Sequence, residues 1–299
     1  DAGLGAAAAA AGDVNGDGYD DVLLGALYEN SGENDAGRAS LYHGSPVGLE
    51  DGAVWSDGGG QAGEGFGWSV AGAGDVNGDG CDDLVVGAPF YDHGQSDEGR
   101  AYLYYGSPFA LDTKAAWSAV SGQKGAHLGT SVSTAGDVNG DGFSDVVVGV
   151  PTYDNPTNGG KVLVYYGSAA GLPNTASWTA TNNQAQAEFG AAVATAGDFN
   201  GDGYADLAIG APGYDYSGRS DAGAAFVYFG SASGLGSPGT PSNADWSLYG
   251  TQAEAEFGYD LGMAGDVNRD SYDDLIISAP FYNTESGRVY VYYGGAAPD

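Results

Sequence analysis

The chain repeats itself. Acidic loops begin at Asp13, Asp75, Asp137, Asp198 and Asp266, at intervals of 62, 62, 61 and 68 residues. A period of this length makes one repeat the unit of structure, because each copy must bury its apolar face against its neighbours. The same landmarks return in the same order in every copy. An apolar residue and a glycine open it: Leu4-Gly5, Phe66-Gly67, Leu128-Gly129, Phe189-Gly190 and Phe257-Gly258. Small residues lead into the acidic loop. A short apolar run then ends in Gly25-Ala26-Leu27, Gly87-Ala88-Pro89, Gly149-Val150-Pro151, Gly210-Ala211-Pro212 or Ser278-Ala279-Pro280. A polar loop and a tyrosine-rich run follow. Trp55, Trp117, Trp178 and Trp246 close the first four copies, and Gln61, Gln123, Gln184 and Gln252 stand five places before the next opening pair.

The runs between landmarks are strand-length, rich in Val, Tyr and Leu, and several alternate with period two. Val289 and Val291 fall on one face and Tyr290 and Tyr292 on the other. The 55 glycines recur at matching places, which argues for many short strands joined by turns. Four short strands per copy predict an all-β fold, a β-propeller of four-stranded antiparallel blades. One domain spanning 1–299 is expected, with repeats at about 4–62, 66–124, 128–185, 189–253 and 257–299. The run Ala6 to Ala11 has helical propensity, and a short helical N-terminus is the alternative there. Repeat register aligns it with Trp68 to Ala73, which favours an innermost strand. The last copy stops after its third strand, so the fifth blade is expected to lack its Trp-bearing outer strand and to leave an edge unpaired.

The loops carry the chemistry. They comprise Asp13, Asn15, Asp17, Tyr19 and Asp21; Asp75, Asn77, Asp79, Cys81 and Asp83; Asp137, Asn139, Asp141, Phe143 and Asp145; Asp198, Asn200, Asp202, Tyr204 and Asp206; and Asp266, Asn268, Asp270, Tyr272 and Asp274. These are positions 1, 3, 5, 7 and 9 of each loop. Ca²⁺ takes six to eight oxygens, and alternate residues of a curled loop can aim side chains at one centre. Position 7 has no shared side-chain chemistry, so its backbone carbonyl is the expected ligand. One Ca²⁺ per repeat, five in all, follows. An EF-hand needs Glu at position 12, and here that place holds Leu24, Val86, Val148, Ile209 or Ile277. Glycine at position 6 permits the turn in four loops. The fifth has Ser271 there and Arg269 at position 4, so its site is expected to be strained or weaker.

The opening pair, the closing Gly-Ala-Pro and the Asp-x-Asn-x-Asp-Gly loop between them resemble the FG-GAP repeats of the integrin α-subunit propeller and its bacterial relatives. The resemblance covers essentially the whole chain. It implies blades with calcium loops on one rim and a surface for adhesion or protein recognition. Leu4, Leu27, Leu128, Val150 and Ser278 depart conservatively from the motif. Integrin propellers have seven blades and this chain has five repeats. That difference implies a larger ring, or a strand supplied by another segment or chain.

Forty acids against eight bases give a formal charge of −32, which makes nucleic acid and anionic lipid poor partners. Five bound Ca²⁺ would bring −32 to about −22. No stretch is apolar enough to insert in a membrane. The start at Asp1, without Met or an apolar leader, suits a processed or excised segment. Calcium sites fit an extracellular, cell-surface or periplasmic setting. Cys81 is the only cysteine, so no intrachain disulfide forms. His43, His93 and His127 share no repeat position, and no nucleophile motif appears, so a non-catalytic role is expected. Arg38, Arg100, Lys161 and Arg288 open the third strands, which predicts a repeated pairing with a nearby acid. The loops Tyr28 to Arg38, Tyr91 to Arg100, Tyr153 to Lys161, Tyr214 to Gly223 and Tyr282 to Arg288 vary most. Recognition of a protein, or of a glycan in a lectin-like reading, is expected there, and a non-catalytic domain of a larger secreted enzyme is the further alternative.

Overall fold

The computed structural model describes residues 3–30, 33–154 and 158–296. Asp1 and residues 31, 32 and 155–157 of the variable loops lie outside the described residues. The first repeat forms β1 (Leu4–Gly12), β2 (Asp21–Ala26), β3 (Arg38–Tyr42) and β4 (Trp55–Gly58). The second forms β5 (Ser69–Gly74), β6 (Asp83–Ala88), β7 (Arg100–Tyr104) and β8 (Trp117–Val120). The third forms β9 (Val132–Gly136), β10 (Asp145–Val150), β11 (Lys161–Tyr165) and β12 (Trp178–Thr181). The fourth forms β13 (Ala192–Gly197), β14 (Asp206–Ala211), β15 (Ala224–Tyr228) and β16 (Trp246–Tyr249). The fifth forms β17 (Leu261–Gly265), β18 (Asp274–Ala279) and β19 (Arg288–Tyr292).

Each repeat is its own sheet with strands in sequence order: four sheets have four strands and the last has three. This is the all-β propeller architecture that the repeat predicts, with five blades and no outer strand on the fifth. Ala6 to Ala11 lie in β1, so repeat register overrides helical propensity there. The segment Tyr282–Glu285 makes a single helix-like turn, but Asn283 and Thr284 have left-handed backbones at φ 52° and 54°. It is not an α-helix. A bulge at the glycine before four of the acidic loops, at Gly12, Gly74, Gly197 and Gly265, turns the first strand into the loop.

Because each sheet is an antiparallel meander, its first and third hairpin loops share one end and its second lies at the other. The acidic loops are first hairpin loops and the variable loops are second ones. Within a blade they therefore sit at opposite ends.

The chain divides into two compact units. One holds Asp1–Thr134, Phe143–Val148 and Tyr166–Thr175; the other holds Ala135–Gly142, Gly149–Tyr165 and Ala176–Asp299. In the first unit, Leu23, Leu41, Trp55, Phe66, Leu84 and Tyr104 share one core between the first two sheets. In the second, Phe199, Val227, Phe257, Leu275 and Ile277 do the same between the last two.

Two devices join consecutive blades inside these units. The closing glycine of one repeat meets the opening glycine of the next, backbone to backbone. A Cβ on Gly25 would stand 2.1 Å from the Gly67 oxygen, one on Gly87 2.0 Å from the Gly129 oxygen, and one on Gly210 2.1 Å from the Gly258 oxygen. No other residue fits such an approach. The second device is the tryptophan of the fourth strand. The indole N–H of Trp55 donates to Asp112 O at 3.1 Å, Trp117 to Pro173 O at 2.9 Å and Trp178 to Ser237 O at 2.9 Å. Trp55 also packs edge-on against Tyr104, and Trp178 against Tyr228, at 4.9 and 5.1 Å between ring centres. A buried indole with its N–H satisfied contributes both area and direction.

The fifth sheet shows what a blade looks like when no further blade is described after it. Ile276 is 38% exposed, whereas its counterparts Val85, Val147 and Ala208 are fully buried. Val289, Val291 and Tyr293 are exposed along its free edge.

Candidate metal centres

Each acidic loop is a closed curl of Asx turns. In the first, Asp17 N–H donates to both Asp13 Oδ1 and Asn15 Oδ1 at 2.9 Å, and Gly18 N–H donates to Asp13 Oδ2 at 2.7 Å. Tyr19 N–H donates to Asp17 Oδ1 at 3.0 Å. The second, fourth and fifth loops repeat this pattern through Asp75, Asn77 and Asp79, Asp198, Asn200 and Asp202, and Asp266, Asn268 and Asp270. In the third, Asp137, Asn139 and Asp141 repeat it inside the second unit, while Phe143 and Asp145 belong to the first. Side-chain oxygens of positions 1 and 3 thus converge on the position-5 N–H, and the position-5 carboxylate takes the N–H of position 7.

Position 9 does something that its spacing did not reveal. Its carboxylate is buried at the root of the loop and ties two backbone segments together. Asp83 accepts from Val76 N–H at 2.9 Å and from Gly106 N–H, past the third strand, at 2.8 Å. Asp21 does the same with Val14 and Gly44, Asp206 with Phe199 and Gly230, and Asp274 with Val267 and Gly294. Burial pushes the Asp83 and Asp206 carboxyls up to about 7. Backbone donors pull the other way, while the neighbouring acids Asp79 and Asp75, and Asp202, push further up. Burial likewise raises Asp21.

Among the described residues, no three His, Cys, Asp or Glu side chains gather at one point. The like charges spread, and each carboxylate takes backbone donors. The donor set nonetheless fits a hard cation. An ionised carboxylate has about four lone-pair sites, so one that accepts two N–H bonds keeps acceptor capacity. Every side-chain donor is an oxygen, and the charges acting most strongly on Asp83 and Asp206 are those of neighbouring aspartates.

Position 7 packs by its side chain on the preceding loop. A Cβ on Gly78 would stand 2.6 Å from the Phe143 ring, one on Gly140 2.5 Å from Tyr204, and one on Gly201 2.3 Å from Tyr272. Position 4 must therefore be bare where another loop follows, a constraint that does not reach Arg269. Positions 4 and 6 are left-handed in every loop, as at Gly78 and Gly80 with φ 75° and 89°. Arg269 and Ser271 adopt the same conformation at φ 64° and 76°, so the fifth loop carries the strain expected of it. Ser271→Gly is expected to stabilise the protein by about 0.5–1 kcal/mol, the left-handed penalty less the added chain entropy. Urea denaturation checks this, and a destabilised variant would refute it.

The loops are also joints. Asp13 O accepts from Asp82 N–H at 3.0 Å and Val14 O from Ser107 N–H at 2.9 Å, both in the next repeat. The same two bonds recur from Asp75 and Val76 to Ser144 and Ser168, from Asp137 and Val138 to Ala205 and Ser231, and from Asp198 and Phe199 to Asp273 and Gly295. The acids at position 8 reinforce two of them, since Asp82 and Asp273 accept from Asp13 and Asp198 N–H at 2.8 and 2.9 Å.

The opposite end is braced by the repeated glutamine. Gln61 donates to Asp92 O at 2.8 Å and accepts from Asp92 N–H at 3.0 Å, and Gln184 clamps Asp215 in the same two-bond manner. The bases that open the third strands pair differently from the expectation. Only Arg38 meets an acid, Glu29, at 2.8 Å among the described residues. Arg100 lies over Tyr91 and Tyr102, Lys161 over Tyr153, and Arg288 over Tyr282 and Tyr290, at 4.6–5.4 Å from the ring centres. The tyrosine just past each closing motif folds back beside the base, so a ring face occupies the place an acid would take. The histidines stand apart: His43 touches Asn15, His93 stacks near Tyr91, and His127 packs on Phe90. Burial and neighbouring acids raise the Cys81 thiol, which keeps it unreactive.

Among the described residues, no helix is long and apolar enough to cross a membrane. The chain is 35% identical to integrin alpha-PS2 of Drosophila melanogaster over 216 residues, which is 67% of this chain and 14% of that protein. It is 32% identical to integrin alpha-V of Gallus gallus over 221 residues, 72% of this chain and 20% of the relative. Phosphatidylinositol-glycan-specific phospholipase D of Bos taurus is 36% identical over 176 residues, 55% of this chain and 20% of the relative. The chain thus spans a fifth or less of the length of these relatives. The family model for the FG-GAP repeat matches at 5–42, 66–104, 128–165, 189–228 and 257–292. Each match runs from an opening glycine or pair to the end of a third strand and so encloses one acidic loop and one closing motif. On that match, in all five copies, the chain belongs to the FG-GAP repeat family.

Proposed function

We propose that the chain is a calcium-stabilised, non-catalytic recognition module that works outside the cell in adhesion or protein binding. The observation that carries this reading is the double role of the acidic loops. Their oxygens suit a hard cation, and their backbone carbonyls bond to the next blade. Bound Ca²⁺ would offset the clustered negative charge and stiffen these joints. Positions 1, 3, 5 and 9 would hold it by side chains and position 7 by its carbonyl. Recognition then falls to the variable loops at the other end of each blade, which the glutamine clamps hold in place. The likeness to integrin α-subunits supports adhesion as the context.

Calorimetric titration of Ca²⁺ into chelator-treated protein is expected to show binding that raises the thermal midpoint. Each site is worth about 2.7 kcal/mol at a hundredfold excess over its dissociation constant. Adhesion of intact cells to a surface coated with the chain should fall when EGTA is added and recover with Ca²⁺. Adhesion and thermal midpoint both indifferent to EGTA would sink the reading.

A further inference from the structure

The fourth repeat departs from the others at its variable end. Where Arg100, Lys161 and Arg288 stack on tyrosine, the fourth repeat has Ala224. Rings fill the place instead. Tyr214 meets Phe226 at 5.6 Å and Tyr249 at 5.9 Å between ring centres. Tyr249 ends β16, where the other fourth strands end in Gly58, Val120 and Thr181. Tyr216 lies flat on Tyr249, with centres 3.8 Å apart and planes 6° from parallel.

That outer ring is held firmly. Tyr216 and Arg219 exchange two backbone hydrogen bonds, at 3.1 and 3.0 Å, around a turn with Ser217 at φ 54°. The foot of the turn is fixed by the Gln184 clamp on Asp215, and Asp221 N–H donates to Asp215 Oδ1 at 2.9 Å. Tyr216 is 40% exposed, with one face on Tyr249. Asp215, Ser217 and Arg219 are exposed in the same turn and supply acceptors, a hydroxyl and a guanidinium donor.

We propose that the open face of Tyr216 is a subsite for a neutral pyranose ring. The C–H face of the sugar would lie on the aromatic ring, and its hydroxyls would reach Asp215, Ser217 and Arg219. A flat ring fixed in advance loses little conformational entropy on binding. An apolar protein side chain placed there would strip water from charged neighbours without replacing their hydrogen bonds, whereas sugar hydroxyls replace them. A net charge of −32 disfavours anionic sugars. This inference goes beyond the calcium reading and does not rest on it, since the platform stands at the other end of its blade from the acidic loop.

The test titrates cellohexaose, mannohexaose and chitohexaose into the full chain in Ca²⁺-containing buffer, read by calorimetry. Saturable binding of at least one is expected, displaced by excess of its own monosaccharide. Tyr216→Ala should weaken it about tenfold or more, a stacking-sized loss, while Tyr216→Trp keeps it within about threefold. Circular dichroism confirms that both variants fold. No saturable binding by any of the three sugars, or binding unchanged by Tyr216→Ala, overturns the proposal. Neither result bears on the calcium sites.

Discussion

Alanine at Gly87 is expected to destabilise the protein by on the order of 3–5 kcal/mol, a large part of a typical folding margin. The added Cβ would stand 2.0 Å from the Gly129 oxygen and 2.4 Å from Ser69 Oγ. The serine could turn away. The carbonyl cannot, because it belongs to the opening pair of the next repeat, where Gly129 itself has its Cα direction closed by Arg100 O at 2.5 Å and the Gly87 Cα at 3.1 Å. Relief requires the two blades to separate, which opens the packing around them. Urea denaturation of Gly87→Ala beside Gly52→Ala provides the comparison. A Cβ on Gly52 meets nothing within 4 Å, so that variant should stay within about 1 kcal/mol of the parent. Equal effects from the two substitutions would show that the glycine contact is not what holds the blades. The fifth repeat already supports the logic: Ser278 stands at the closing position, and its Oγ accepts from Asp260 N–H at 3.0 Å.

Stability should also fall as pH rises through neutrality, and Glu64 should be a main cause. It is fully buried, Oε1 accepts from Gly60 N–H at 3.0 Å, and Oε2 has no partner. Its counterparts are the buried alanines Ala126, Ala187 and Ala255. Burial pushes the Glu64 carboxyl up to about 7, against the backbone donors Gly60 and Gln61 and the Arg100 charge, with Asp57 pushing the same way as burial. The folded state therefore holds its proton where the unfolded chain has released it. The contribution is fully present below the unfolded value of 4.5 and is lost as pH climbs through about 7. The span corresponds to on the order of 3 kcal/mol. Glu64→Gln should remove this part of the slope in denaturation curves taken between about pH 5 and pH 8, and should exceed the parent in stability at the upper end. Glu64→Ala, which copies the other repeats, should flatten the slope in the same way. A slope unchanged in both variants would assign the titration elsewhere.

Much of the fold was legible because five copies vote on every position. One alanine-rich run looks helical alone, and its register with Val70 and Val193 makes it a strand, as β1 is. The left-handed strain at Ser271 was legible for the same reason. What stayed hidden is what acts between copies. Nothing in the local pattern says that Gly25 needs to be glycine on account of Gly67, or that Gln61 reaches Asp92. Position 9 offered a carboxylate, and spacing could not show that the backbone of Gly106 would reach it from beyond the third strand. The pairing of Arg100 with rings rather than an acid was hidden too, because charge is visible in a sequence and the facing of a ring is not. Glu64 could have been found by aligning the copies and asking why one has an acid where three have alanine.

The joints between blades draw on the same parts: two loop carbonyls on the next repeat at all four, a closing glycine against an opening glycine, and at the first three an indole on a carbonyl. It follows that a gene of this kind can lengthen or shorten by whole periods without inventing a new interface. A duplication or loss of a fraction of a period would set a side chain against a backbone that leaves no room for one. Repeat number is then the quantity that can change at least structural cost, while the nine residues from each opening pair to its acidic loop keep one spacing in every copy.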